Sequence, residues 1–309
     1  MIRPSIVTTK VVADRIAQAG DDRLRLEHYG FKVYSQSDED GVIEEVFRRI
    51  GIKDRTFVEF GAETGVENNT RYLLAQGWSG LWIEAMPQYA EVIRKGHRDA
   101  IASGRLKFLD TPVTAENIND LISSAEIKGE IDFLSIDIDG NDYHVFEAIH
   151  VIQPRVVCLE HNPTFPPPAD WVMPYNPHHR WTGTSTEYGA SIVALERLAR
   201  SKGYVLVGCS LYSPNGYYVR SDLVTSAGFS APYRSERFFQ STTYDAIISF
   251  PRDVFKSELM ETGRKLADSE SRCSALAKSL RKANQKLAEE IQKRRNPLKR
   301  LLKKLYKPN

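Results

Sequence analysis

Long apolar runs are missing from this sequence. No stretch approaches the ~20 consecutive apolar residues of a membrane-spanning helix, so none is expected. The N-terminal segment MIRPSIVTTKVVADRIAQAG is interrupted by Asp14 and Arg15 and lacks the continuous apolar centre of a secretory leader. Cysteine is scarce. Cys158, Cys209 and Cys273 show no C-x-x-C spacing, which excludes a thiolate zinc site. The first two lie inside apolar runs and are expected to be buried free thiols, which suits a reducing, cytoplasmic setting. Net charge is small as well, at +2. The segment KRRNPLKRLLKKLYKPN, residues 293–309, holds eight Lys or Arg and no acid, so removing it leaves −6 on residues 1–292. A mildly acidic body argues against a nucleic-acid-binding face, and no nucleic-acid partner is expected.

What is present is ordinary for a soluble globular chain: 41% hydrophobic and 27% charged residues. Residues 1–50 read as a mostly helical segment. Its clearest element is SDEDGVIEEVFRRIG, with Val42, Ile43, Val46, Phe47 and Ile50 at helical spacing, Ser37 or Asp38 as cap and Gly51 as stop. Residues 51–250 alternate β-type runs (TFVEF, GLWIEA, LKFLD, DFLSIDI, RVVCLE, YVLVGCS, GYYVRSD) with the helical stretches NTRYLLAQG, PQYAEVIRKGHRDAIASG, AENINDLISSA, DYHVFEAIHVI and GASIVALERLARSKG. That alternation predicts an α/β fold with a mainly parallel sheet. The Pro-Asn-Gly turn between the last two runs predicts an antiparallel hairpin at the sheet edge. The segment HNPTFPPPADWVMPYNPHHRWTGTSTEYGAS has no periodicity and reads as a long ordered loop. Over residues 256–292, Leu259, Leu266, Cys273, Leu280 and Leu287 recur at seven-residue spacing. This predicts a coiled-coil helix and a homo-oligomer through it, or a single amphipathic helix.

The first β-type run ends in chemistry. Glu59, Gly61 and Gly65 lie between a strand and the helix that begins near Asn68 or Asn69. Glycines there allow a tight turn and close approach of a ligand to the backbone. Glu84 ends the second run, where an acid can take both hydroxyls of a ribose. A dinucleotide would bring a pyrophosphate to this turn, and Glu59, Glu63 and Glu67 would repel it. S-adenosylmethionine carries no phosphate and bears a sulfonium and an ammonium, which acids favour.

The stretches SQSDEDGVI, FVEFGAETGVENNT, GWSGLWIEA, VTAENIN, DFLSIDIDGNDY and VVCLEHNP, then GASIVALERLARSKGYVLV and NGYYVRSDL, resemble the FkbM-type methyltransferases and related class I methyltransferase-like proteins across residues 34–225. The resemblance implies a Rossmann-like class I fold with a seven-stranded, mainly parallel sheet. It implies S-adenosylmethionine as cofactor, held by Glu59, Phe60, Gly61, Ala62, Gly65, Asn69, Glu84, Asp110 and Asp137. One departure stands out: Glu63 stands at the middle glycine of the general G-x-G-x-G pattern, a glycine that FkbM-type turns also lack. The Asn-Pro-Pro-aromatic motif of base methyltransferases is absent after the fourth strand.

Parallel strands would bring Asp137, Asp139, Glu160 and His161 to one rim. These four side chains could hold Mg²⁺ or another divalent cation; without metal, Asp139 or His161 could act as general base. His144 and His150 read as helix packing. His178, His179, Arg180, Trp181 and Tyr188 could line an acceptor pocket or pack as a cover. In residues 293–309, Leu298, Leu301, Leu302, Leu305 and Tyr306 interleave with lysine and arginine. That pattern fits a helix lying on an anionic membrane surface, peripheral at the inner membrane face, or a solubilising tail. The expected activity is O-methylation of a sugar or glycoconjugate. The alternatives are methylation of a protein or small metabolite, or a silent scaffold on the same fold.

Overall fold

The structure, a computed structural model, describes residues 22–183 and 185–239. The expected coiled coil, the basic tail and Cys273 lie outside the described residues.

The seven runs form seven strands: β1 (Thr56–Phe60), β2 (Ser79–Ile83), β3 (Leu106–Leu109), β4 (Gly129–Ile136), β5 (Ile152–Glu160), β6 (Tyr204–Cys209) and β7 (Asn215–Arg220). They join in one sheet of order β3-β2-β1-β4-β5-β7-β6. The β3-β2-β1-β4-β5 pairings are parallel, and β7 pairs antiparallel with both β5 and β6. The edge hairpin is therefore present. The helices are α1 (Glu39–Ile50), α2 (Arg71–Ala75), α3 (Pro87–Gly96), α4 (Arg98–Ala102), α5 (Ile118–Ser124), α6 (Asp142–Ala148), α7 (Ile192–Ser201), α8 (Ser221–Ala227) and α9 (Ser235–Phe238). Among the described residues none is long and apolar enough to cross a membrane.

Strand alternation builds a core on each face of the sheet. Val58, Phe60, Leu81, Ile83, Leu134 and Ile136 share one core with Ile118, Phe146 and Leu195. Phe57, Trp82, Phe133, Val156 and Cys158 share the other with Val42, Val46, Phe47, Leu73 and Ile93. Each fully buried large side chain contributes roughly 1.5–3 kcal/mol. Cys158 and Cys209 are buried free thiols, as expected.

Three local expectations are corrected. The first is the cap of α1. The Asp38 carboxylate accepts from the Leu211 amide at 2.9 Å and makes no side-chain cap bond. Long-range packing has taken the acid that local sequence offered as a cap. The second is PQYAEVIRKGHRDAIASG, which forms two helices, α3 and α4, interrupted at His97. The His97 ring bonds the Gly65 carbonyl at 2.9 Å, so a tertiary contact holds the break. The third is the last run, which leaves the sheet at Arg220, where Ser221 begins α8.

One buried pair ties the strand starts together. The Asp132 carboxylate accepts from the amides of Lys53 (2.9 Å), Asp54 (2.8 Å) and Arg55 (2.7 Å), and from Arg155 Nη1 (2.8 Å). Arg155 also donates to the Ile50 and Gly51 carbonyls, closing the exit from α1. Asp132→Ala leaves the Arg155 charge buried and unpaired. It should cost about 3–5 kcal/mol in denaturant unfolding. Pairing it with Arg155→Met should recover much of that loss, because an apolar pair leaves no uncompensated charge.

Candidate active site

The site begins where β1 stops. Gly61 has φ +76°, and a Cβ placed on it would lie 1.7 Å from the Asp137 carbonyl oxygen. The glycine turn and the end of β4 are thus in direct backbone contact. The Gly61 amide donates to the Ile83 carbonyl at 3.0 Å, and the Asp137 amide donates to the Phe60 carbonyl at 3.3 Å. Phe60 and Ala62 bury their side chains completely, so only their backbone can face a ligand. Gly65, at φ +70°, sits against Trp82 and His97.

Glu63 explains the missing middle glycine. Its φ is +46°, a conformation glycine adopts without strain. An L-residue there costs roughly 1–2 kcal/mol. The Glu63 amide donates to Glu84 Oε2 at 2.8 Å, which helps hold the strained residue in place. Glu84 Oε1 accepts from the Met86 amide at 2.7 Å. The acid at the end of β2 is therefore oriented by two backbone donors and is 6% exposed. Each of its oxygens retains a lone pair for a further donor. Burial pushes the Glu84 carboxyl up to about 6, against the two amide bonds that pull it down.

Glu59 and Asn69 are placed differently from expectation. Glu59 shares a face with Phe57 and lies in register with Trp82 on β2 and Ser135 on β4. It points into the layer of α1 and α2, where its carboxylate accepts from the Asn69 amide (2.8 Å), the Thr70 amide (3.1 Å), the Thr70 hydroxyl and the Asn68 side chain. Asn69 Nδ2 donates to Ser135 Oγ at 3.0 Å, and Thr70 Oγ1 accepts from Trp82 Nε1 at 2.6 Å. Both residues position the turn from beneath. Burial pushes the Glu59 carboxyl up to about 7, with its donors opposing. Asp110, after β3, is half-exposed and pairs with Arg94 at 2.7 Å, which lowers its pKa.

The second half of the site lies at the ends of β4 and β5. Asp137, Asp139 and Glu160 each present a carboxylate oxygen within 4.8 Å of the other two. Asp139 also takes a left-handed backbone, at φ +55°. Asp142 shapes this turn by accepting from the amides of Ile138 and Gly140, both at 2.9 Å. His161 does not join the cluster. It directly follows Glu160, and successive residues along an extended chain point to opposite sides. Its ring is 2% exposed and lies 5.9 Å from the Phe239 ring, and burial pushes it down to about 3. The expected roles of His161 as ligand or base are therefore withdrawn.

The long loop closes over this turn. Asn141 Nδ2 donates to the Asn176 carbonyl at 2.7 Å, and the His179 ring packs against Gly140, within 2.3 Å of where a Cβ would lie. Trp181 packs near Tyr188 with centroids 5.0 Å apart. His144 bonds the Met173 carbonyl at 2.8 Å and is packing, as expected.

Tyr89, in α3, was not singled out by sequence. Its phenol is pushed up by burial and by the carboxylates of Glu63, Glu84 and Asp139. These acids belong to the glycine turn, the end of β2 and the turn after β4, so Tyr89 feels charge from both halves of the site. The only sequence signal was an aromatic residue shortly after Glu84.

Residues 89–206 match the family model described as Methyltransferase FkbM domain. The match covers 118 of the 309 residues. The sheet, from Thr56 to Arg220, has the strand order and mainly parallel pairing of a Rossmann-like class I methyltransferase fold. Among solved structures, an O-methyltransferase from Bacillus cereus in complex with SAH is 16% identical, covering 71% of this chain and 91% of that chain, with a TM-score of 0.38. A SAM-dependent methyltransferase from Aquifex aeolicus is 13% identical, covering 67% and 96%, with a TM-score of 0.35. Likenesses this distant carry no conclusion about activity. No curated protein matches the sequence.

Proposed function

We propose that this protein moves the methyl group of S-adenosylmethionine onto a hydroxyl oxygen of a sugar or glycoconjugate. The observation that carries the reading is the convergence of Asp137, Asp139 and Glu160 beside a glycine turn in backbone contact with Asp137. A cofactor with a sulfonium and an ammonium suits a turn bordered by Glu63, Glu84 and these acids. Glu84 would take the ribose hydroxyls, with its oxygens already aimed by Glu63 and Met86. Bound there, the cofactor supplies an electrophilic methyl group.

The three carboxylates offer hard oxygen donors suited to Mg²⁺ or a similar cation. Asp137, Asp139 and Glu160 would hold it. Its contribution would be to lower the pKa of the acceptor hydroxyl. Without a bound cation, Asp139 is the remaining candidate to accept the hydroxyl proton. The sulfonium bond to the methyl breaks as the oxygen bond forms, and positioning is the main source of rate. The loop over Gly140, with His179 and Trp181, is suited to stacking and hydrogen bonding with a sugar. The basic amphipathic sequence of residues 293–309 is consistent with a glycoconjugate acceptor at an anionic membrane.

Labelled S-adenosylmethionine incubated with the protein and fractionated glycans should give labelled O-methyl product. Asp139→Asn should lower turnover by roughly 10²–10⁴-fold, the usual contribution of a positioned base. Chelator should abolish activity and added Mg²⁺ restore it. Activity indifferent to chelator would remove the metal while leaving the methyl transfer standing.

A further inference from the structure

The break between α3 and α4 opens a cleft of about 260 Å³ lined by Arg71, Lys95, His97, Arg98, Asp99 and Arg105, with apolar and backbone walls from α2. We propose that Arg71, Lys95, Arg98 and Arg105 form a binding pocket for the phosphate group of an anionic ligand. Four cations and one carboxylate line the pocket, and Glu91 beside it pairs with Lys95, so positive charge is in excess and an incoming anion relieves it. The volume falls just below the ~300–1,000 Å³ of drug-sized sites, which suits a phosphate or phosphoester head. Arginine forks match phosphate oxygens in pairs.

The existing partners of these cations are replaceable. Lys95 pairs with Glu91 at 2.8 Å, but both side chains are more than two-thirds exposed. Exposed pairs of this kind hold their geometry weakly. Arg98 reaches Asp99 only at 3.9 Å, beyond hydrogen-bond distance. Arg105 donates to the Leu74 carbonyl at 3.3 Å, and Arg71 lies over the Tyr34 ring at 4.5 Å. Neither of these contacts neutralises a charge.

One side chain links the pocket wall to the glycine turn. His97 lines the pocket and bonds the Gly65 carbonyl at 2.9 Å, with its ring edge-on to Trp82 at 4.8 Å. Arg105 precedes β3 and Asp110 follows it, so the pocket lies toward the opposite end of that strand from Asp110. It is therefore separate from the carboxylate rim, and the inference stands independently of the methyl-transfer reading.

Calorimetric titration of the full chain with inorganic phosphate at constant ionic strength tests it. Saturable binding is expected, weakened about tenfold or more in the Lys95→Gln/Arg98→Gln double variant, which removes two of the four cations. Both positions are exposed, so the variant should melt like the parent. Two further arms identify the source of the phosphate. Tighter binding of glycerol 3-phosphate than of phosphate points to a soluble ester. A variant-sensitive gain seen with phosphatidic acid vesicles, and not with glycerol 3-phosphate, points to a lipid headgroup. Residues 293–309 are the same in both proteins and cancel in that comparison. No saturable binding at millimolar phosphate, or equal affinity in parent and variant, overturns the proposal.

Discussion

Gly61→Ala is expected to destabilise the protein by roughly 3 kcal/mol or more and to abolish cofactor binding. Two effects add. The backbone at φ +76° is strained for any L-residue, and the new Cβ would lie 1.7 Å from the Asp137 carbonyl oxygen. The second effect dominates. Glu63 shows that a left-handed non-glycine residue is tolerated in this same turn. The Asp137 carbonyl cannot retreat alone, because its residue's amide bonds the Phe60 carbonyl and β4 lies between β1 and β5. Gly104→Ala is the control. It has φ +74° with no atom within 4 Å of the added Cβ, so it should cost only the conformational strain, roughly 1–2 kcal/mol. Denaturant unfolding of the two variants separates strain from contact. Equal losses would show that the approach to Asp137 is relieved cheaply.

Glu84→Ala should weaken S-adenosylmethionine binding by about a hundredfold or more. Two hydrogen bonds from ribose hydroxyls to a carboxylate contribute about 1.5–3 kcal/mol each. The substitution also strips the acceptors from the Glu63 and Met86 amides, which should lower stability separately. Calorimetry and unfolding measured on the same variant distinguish the two losses. The pH dependence supplies an independent check. Burial raises this carboxyl to about 6, so between pH 7 and 5 it takes up a proton and loses acceptor capacity. Affinity should fall across that range. The linked effect on folding has the opposite sign. A folded pKa above the unfolded value gives stability that is full below the unfolded pKa and is lost as pH rises through about 6. A weaker affinity at pH 5 therefore cannot come from unfolding driven by Glu84. Unchanged affinity in Glu84→Ala would remove this residue from the cofactor site.

Much of this arrangement was legible because it is local. Short apolar β-type runs alternating with amphipathic helical stretches predict a parallel sheet, and the Pro-Asn-Gly turn predicts the edge hairpin. Gly61 and Gly65 marked a backbone that only glycine enters without strain. Asp137, Asp139 and Glu160 could be placed on one rim because parallel strands end on the same side. His161 failed the same logic for a simple reason: the residue after Glu160 turns to the other side of the chain. Tyr89 and His97 were invisible, since nothing in their neighbours specifies which turn they will pack against.

The sequence by itself determined the class of fold, the glycine turn and the acids around it, since these follow from periodicity and backbone conformation. Tertiary structure alone decided how the acids divide their work. Register across β1, β2, β4 and β5 buried Glu59 beneath the turn, aimed Glu84 with two amides, and gathered three carboxylates while excluding His161. Those outcomes depend on which strands become neighbours and which face each side chain takes, and no local pattern carries that information.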